Sequence, residues 1–381
     1  MLESKKKLYL LAPNIWGFKG GIQTYSAFLL KALQNLYPNL NYQVFLKHDR
    51  ISCWDLSDGG NCKFHLAGIW PLPLRTVIFA AQILGYGIWQ KPDLVIATHL
   101  NFTIATYWLK RLKGIPYWGI AHGIEAWNIE RSALKVALGE ADRILCVSGY
   151  TRDRLLKEQN LDPAKVLVLP NTFDASQFQI SPKPEYLMNR YGLTSANSII
   201  LTVARLDKKE RYKGYDTIIQ ALPAIREQIP DVRYILVGRG SDRDRIEELV
   251  THLGLQECVT VTGFIPDREL ADHYNLCDLF AMPSKGEGFG IVYLEALACG
   301  KPTLAGNQDG AIDALAHGEL GALVDPDNIE EIAQTIKQIL QGNYPNPLLY
   351  QPKALRQKVI DRFGFEQFHQ TLADYLNQLK I

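Results

Sequence analysis

Short apolar runs alternate with amphipathic stretches along almost the entire chain. In the first half, Leu8–Ala12, Tyr42–Phe45, Leu94–Thr98, Tyr117–Ile120, Arg143–Val147 and Val166–Leu169 have strand length and strand-type side chains. Between them, Gln23–Asn35 and Thr103–Arg111 repeat apolar positions at helical spacing. The second half has the same texture. Strands are predicted at Ser198–Val203, Arg233–Val237, Thr260–Thr262, Leu279–Met282, Thr303–Ala305 and Ala322–Val324, and helices at Tyr215–Glu227, Asp242–Leu253 and Ile291–Cys299. Such alternation predicts α/β architecture, with parallel sheets covered by helices on both faces. Two doubly wound domains are expected, with a ligand between their facing strand ends. The polar stretch Asp174–Pro184 breaks the pattern and predicts the interdomain linker. The domains are therefore set at 1–175 and 176–364, followed by a helical tail at 365–381.

Composition narrows the function classes. The chain has 381 residues, 47% hydrophobic and 21% charged, which is ordinary for a soluble globular protein. A net charge of +1 argues against a nucleic-acid binder with a broad basic field. Cys53, Cys62, Cys146, Cys258, Cys277 and Cys299 are scattered without metal-ligand spacing, so they read as reduced thiols of a cytosolic protein. The run before Ala12 is too short for a signal-peptide core. Val77–Trp89 is the most lipid-like segment, but Gln82 interrupts it and it is too short to span a bilayer. It is read as a buried helix of the first domain, with membrane contact as the alternative.

The most informative stretch is 281–303, where Leu279–Met282 runs into a glycine-rich turn and a helix leaves it. Glu287 lies in the turn, and Glu295 falls two turns along the helix on about the same face. A strand–loop–helix unit of this kind offers backbone N–H groups and a positive helix terminus to an anion. A diphosphate there, flanked by hydroxyls that two carboxylates bind, describes a nucleotide sugar.

The stretch resembles the E-x7-E signature of the retaining GT-B glycosyltransferases of family 4. Glu287, Glu295, the Pro-Ser-x-x-Glu-Gly-Phe-Gly context and Gly300-Lys-Pro302 carry the match. The resemblance implies GT-B architecture, two Rossmann-like domains facing across a cleft, with the 365–381 helix packing back on the first. It also implies that Glu295 binds ribose hydroxyls and that Glu287 binds the donor sugar. The backbone of Gly288, Phe289, Gly290 and Ile291 would hold the diphosphate.

Other segments extend the resemblance. Gly20-Gly21 ends the first strand's loop; by itself it is as readily a tight turn, and the family places such a pair against the donor diphosphate. Arg205 follows a strand and Lys213 precedes a helix, matching the family's diphosphate-binding cations, with Arg211 as substitute for Lys213. Lys208, Lys209, Glu210 and Arg211 otherwise read as a solvated run. His122, after Tyr117–Ile120, matches a family position near the donor sugar, where it would hydrogen-bond a hydroxyl. His99, Ser148 and Asn171 are candidates for the acceptor or cleft, Ser148 being equally a helix cap. Gly263, Phe264 and Ile265 resemble the family's base-binding loop.

Cofactor signals are weak. Gly238-Arg239-Gly240 lacks the third glycine of a dinucleotide fingerprint, because Arg243 stands there. Asp242-Arg243-Asp244 is formally a D-x-D but opens a helix, where acids suit the macrodipole. No metal or cofactor is therefore expected. The expected activity is transfer of a hexose-type sugar from a nucleoside diphosphate, UDP first and GDP next, to a glycan or lipid-linked acceptor. The setting would be cytoplasmic, with possible peripheral association at the membrane. A nucleotide-sugar 2-epimerase and a catalytically silent nucleotide-sugar binder are the rival readings.

Overall fold

The computed structural model describes residues 6–17, 20–50 and 61–378; residues 1–5, Cys53 and the last three residues of the tail lie outside them. The chain forms two units, one of Met1–Thr172 with Glu366–Ile381, the other of Phe173–Phe365. The first holds strands β1 (Lys7–Ala12), β2 (Asn41–Leu46), β3 (Cys62–Leu66), β4 (Leu94–Ala97), β5 (Tyr117–Ala121), β6 (Arg143–Cys146) and β7 (Val166–Val168). They pair in parallel in the order β3-β2-β1-β4-β5-β6-β7. Its helices are α1 (Gly21–Leu36), α2 (Leu72–Gln90), α3 (Thr103–Lys113), α4 (Ser132–Gly139) and α5 (Gly149–Glu158).

The second unit begins with α6 (Glu185–Arg190) and carries β8 (Ser198–Val203), β9 (Val232–Val237), β10 (Val259–Gly263), β11 (Leu279–Met282), β12 (Thr303–Gly306) and β13 (Ala322–Val324). Their order is β10-β9-β8-β11-β12-β13, again all parallel. Its further helices are α7 (Tyr215–Arg226), α8 (Arg243–His252), α9 (Leu270–Leu276), α10 (Ile291–Ala298), α11 (Ala311–Ala314), α12 (Ile329–Leu340) and α13 (Pro352–Phe363). In both sheets the strand order reverses beside the first strand, between β1 and β4 and between β8 and β11. Ligands of doubly wound sheets bind at the carboxyl ends of strands at such a switch point.

The predicted strands and helices all form, with ends shifted by a residue or two. The edge strand β3 was not predicted. Its sequence Cys-Lys-Phe-His-Leu carries two polar residues, and its packing depends on partners elsewhere. His65 turns inward, stacks on Phe45 with ring centroids 4.5 Å apart, and places Nε2 2.7 Å from Gln43 Oε1. Burial lowers its imidazole pKa to about 4.

The segment read as a buried helix is a longer one, α2, and most of it faces outward. Only Phe79, Ile83 and Gly87 are buried, on one stripe at helical spacing. Their exposed neighbours include Leu72, Val77 and Trp89. At 19 residues α2 is also long and apolar enough, by those criteria alone, to cross a membrane. Asp174–Pro184 lies on the second unit, where Arg356 donates to the carbonyls of Ala175 at 2.7 Å, Ala298 at 2.5 Å and Phe178. The final helix α14 (Phe365–Asn377) packs on the first unit: Tyr375 OH donates to Val168 O at 2.8 Å, and Phe368 meets Tyr25 edge-on.

Candidate functional site

At the switch point of the second sheet, β11 delivers the glycine-rich turn and α10 leaves it. The turn is fastened by long-range contacts. Asp309, fully buried, accepts from Glu287 N and from Ser284 Oγ, both at 2.7 Å. Gly310 N donates to Glu287 O at 2.8 Å, so both backbone groups of Glu287 are held by one dipeptide. A side chain at position 310 would stand 2.0 Å from Gly288 O. Tyr293, one turn into α10, hydrogen-bonds Ser284 Oγ at 3.0 Å and donates to Met282 O at 2.7 Å. Gly290 has φ +89°, and a Cβ there would lie 2.4 Å from the Tyr293 ring, so glycine is required on both counts.

The loop after β8 packs against this turn. Lys285 N donates to Tyr212 O at 2.9 Å, and a Cβ on Gly214 would collide with Pro283 O. Lys213 consequently reaches Glu287, Nζ to Oε1. Arg205, at the end of β8, pairs with Glu210 at 2.5 Å while its side chain stays 62% exposed. Further along α10, Glu295 is buried and accepts from Tyr274 OH at 2.7 Å. Burial raises the Asp309 carboxyl to about 7, with its hydrogen-bond donors opposing the shift.

Arg211 and Glu210 are not a solvated run. Arg211 Nη2 lies 2.6 Å from Oδ1 of buried Asp242, which also accepts from Arg245 and from Tyr215 OH at 3.0 Å. Lys208 and Lys209 are exposed. Arg245 and Arg211 hold the Asp242 carboxyl well below the usual range, so the D-x-D sequence is part of an arginine network. Among the described residues no three His, Cys, Asp or Glu side chains form a group able to hold a metal.

Comparison with known proteins places this geometry. Residues 186–358 match the family model for glycosyl transferases group 1, and residues 19–177 match that for glycosyltransferase family 4. A GDP-mannose-dependent α-(1-6)-phosphatidylinositol monomannoside mannosyltransferase of Mycobacterium tuberculosis is 31% identical over 268 residues, 67% of this chain and 68% of that protein. The chain belongs to glycosyltransferase family 4. A mannosyltransferase of the same description from Mycolicibacterium smegmatis is 34% identical over 58% of this chain, and the match spans 59% of that relative's length. Among solved structures, this family 4 chain resembles Anabaena Alr3699/HepE in complex with UDP and glucose. The TM-score is 0.78 at 22% identity, over 98% of this chain and all of that one. It resembles sucrose-phosphate synthase from Thermosynechococcus elongatus with TM-score 0.80 at 22% identity, over 98% and 99%. These likenesses establish the GT-B fold type for the family 4 chain, as two Rossmann-like units.

The remaining predicted positions fall at strand ends of the family 4 scaffold. Gly263 closes β10 with φ +76°, and Gly238 N donates to its carbonyl at 3.1 Å. Phe264 stands exposed with the Arg239 guanidinium 5.0 Å from its ring centroid, and Ile265 beside it is half-buried. In the first unit, Gly20 caps α1 without a side-chain hydrogen bond, and among the described residues no atom lies within 4 Å of where a Gly21 Cβ would be. Buried Asp49 steadies the approach by accepting from Ile15 N, Trp16 N and Gly17 N at 2.6, 3.2 and 2.6 Å.

His122 Nε2–H donates to Thr98 O at 2.8 Å, which leaves Nδ1 as an acceptor. Burial pulls its pKa to about 4, so the ring is neutral near pH 7. Its backbone N–H donates to Glu125, whose carboxyl burial pushes upward. His99 Nδ1 accepts from Asn101 N at 3.2 Å, and burial lowers its pKa too. Ser148 is buried and caps α5 by accepting from Thr151 N at 3.0 Å, so its hydroxyl is committed to the helix. Asn171 is buried, and among the described residues its Oδ1 has no hydrogen-bond partner.

Sequence reasoning missed Asp309, Tyr274 and Asp49, each a buried or anchoring partner of a predicted segment. Asp309-Gly310 follows the end of β12, so its place after a predicted strand was the one available signal.

Proposed function

We propose that the chain is a retaining glycosyltransferase that moves a hexose-type sugar from a nucleoside diphosphate to a hydroxyl of a glycan or lipid-linked acceptor. The observation that carries this reading is the meeting of Lys213 and Glu287 at the glycine-rich opening of α10, with Glu295 buried along the same helix. Glu295 takes the ribose hydroxyls, held in one rotamer by Tyr274. The N–H groups at the start of α10, with Lys213 and Arg205, hold the diphosphate. Donor binding redistributes the Lys213–Glu287 pair, turning Lys213 toward phosphate and freeing Glu287 for the sugar. As the bond from the anomeric carbon to the diphosphate oxygen breaks, these cations stabilise the negative charge it leaves. The acceptor oxygen forms the new bond on the same face, and its proton passes to the departing phosphate. No metal is assigned a part.

Within the first unit, Gly20-Gly21 and His122 are proposed as residues able to contact a phosphate and a sugar hydroxyl. Phe264 and Arg239 are proposed at the base. GDP-mannose becomes the first donor to test, because it is the donor of the curated relatives at 31–34% identity, with UDP-sugars next. A cytoplasmic setting is supported by five free cysteines among the described residues, and a lipid-linked acceptor would require work at a membrane surface. A thermal-shift screen of GDP-, UDP- and ADP-sugars tests the site, since a ligand of the folded state raises its stability. Failure of all of them to stabilise the protein would overturn it. Incubation with the best donor alone then separates hydrolysis from formation of an epimer, which would make the protein an isomerase.

A further inference from the structure

The outer face of α2 and α3 is unlike the rest of the surface. Consecutive right-handed crossovers from β3 to β4 and from β4 to β5 run in the same direction, which puts both helices on one face of the first sheet. They touch directly, because a Cβ on Gly87 would stand 2.7 Å from the Leu109 methyl groups. Phe79, Ile83 and Leu109 turn inward to the core. Outward stand Trp70, Leu72, Val77, Trp89, Trp108 and Leu112, with Trp89 at 78% and Val77 at 67% exposure. Isolated exposed apolar residues need no explanation, but a set on two adjoining helices and the turn that leads into the first marks an interaction surface.

Charge points to the partner. Between Asn61 and Ile124 the chain has one acidic residue, Asp93, against Lys63, Arg75, Lys91, Lys110, Arg111 and Lys113. Lys110 is spent on Asp142 at 2.7 Å and Asp93 accepts from Lys7 N, while Arg111 and Lys113 are exposed at the end of α3. Tryptophans with exposed cations beside an apolar helix face match the interface of a bilayer with anionic headgroups. A second copy of the chain would set cations against cations.

We infer that this face docks on an anionic lipid surface, with α2 lying in the interface rather than crossing it. Crossing would strip Phe79 and Ile83 from the core of the sheet and part Gly87 from Leu109. Docking deepens the reading of a lipid-linked acceptor, yet it is measurable without donor, acceptor or turnover, so either can fail while the other stands.

The test is co-sedimentation of the full chain with phosphatidylcholine vesicles, with and without phosphatidylglycerol. Binding is expected only where phosphatidylglycerol is present, and should weaken as salt rises. The double variant Arg111→Glu/Lys113→Glu should lose about tenfold or more in vesicle affinity, the scale set by removing cations from an anionic surface. Val77→Glu/Trp89→Glu should do the same. Both should keep the wild-type melting temperature and nucleotide-induced shift, because the altered side chains are exposed. Absence of binding, equal binding to neutral vesicles, or binding indifferent to both variants would overturn the inference. So would light scattering that shows a dimer lost in Val77→Glu/Trp89→Glu, which would assign the face to a second copy.

Discussion

Two glycine-rich turns sit at the carboxyl ends of switch-point strands, and they are held by different means. The turn before α10 is cross-linked through Asp309, Gly310, Tyr293 and the Tyr212–Gly214 loop. Among the described residues, the approach to α1 is held by Asp49, by Gln23 Nε2 donating to Asn14 Oδ1 at 2.9 Å and by Trp16 edge-on to Phe64, and the helix opens at Gly20 without a side-chain cap. The first must hold a carboxylate and a cation in register, so its backbone is clamped on both sides of Glu287. On the proposed reading, the second would offer the N–H groups at the start of α1 to a phosphate. On that reading, preorganised charge and a helix start lacking a side-chain cap would be two ways to make an anion site from the same strand–loop–helix plan.

The comparison breaks most visibly at the cations. Arg205→Ala and Lys213→Ala should each lower kcat on the order of 10²–10³ while changing donor binding much less, because diphosphate charge grows in the transition state. Arg211→Ala, tied to Asp242, should instead lower folding stability by about 1–3 kcal/mol. Steady-state kinetics beside urea denaturation separate these outcomes. A harmless Lys213 change would remove it from the diphosphate.

Next in size is Glu295→Ala, expected to weaken nucleoside diphosphate binding by about 1–3 kcal/mol, as for loss of a charged hydrogen bond. Calorimetry with the free nucleotide reads this directly, and unchanged affinity in a folded variant would take Glu295 off the ribose.

The glycines sharpen the contrast itself. Gly290→Ala, at positive φ and against Tyr293, should cost roughly 1–3 kcal/mol of stability. Gly21→Ala, at a helix start with no described atom within 4 Å of the new Cβ, should leave stability within about 0.5 kcal/mol while weakening donor binding. Equal destabilisation of both would show that the two turns are not differently built.

The clamp also carries a pH signature. Asp309 titrates at about 7 in the folded protein, above the ~3.9 of an unfolded chain. Its contribution is therefore complete below the unfolded value and is lost as pH rises through about 7. Asp309→Asn should flatten the decline in stability between those limits, by a few kcal/mol at about 1.4 kcal/mol for each unit separating the two values. Identical pH profiles for the two proteins would exclude Asp309 as the titrating group. The smallest effect is expected from chelation: turnover should survive EDTA within a few-fold, whereas loss restored by Mn²⁺ would bring a metal into the mechanism.

Periodicity and a contiguous motif made most of this protein legible. Strands and helices announce themselves through apolar spacing that depends only on neighbours in sequence, and Glu287, Glu295 and their glycines lie within one run. Pairings across the fold were not legible. Nothing local in Asp309 tells that it will accept from Glu287, nothing in Tyr274 that it will hold Glu295, and Arg211 looks like its charged neighbours until Asp242 is brought to it. The apolar α2 likewise reads as core, because hydropathy records composition and not which face a sheet will cover. Sequence by itself determined the doubly wound class, the family and the nucleotide-sugar motif, since these rest on short-range pattern. Only the tertiary structure decided which charges meet, which polar groups are buried, and which apolar face stays exposed, since those depend on distances between residues far apart in the chain.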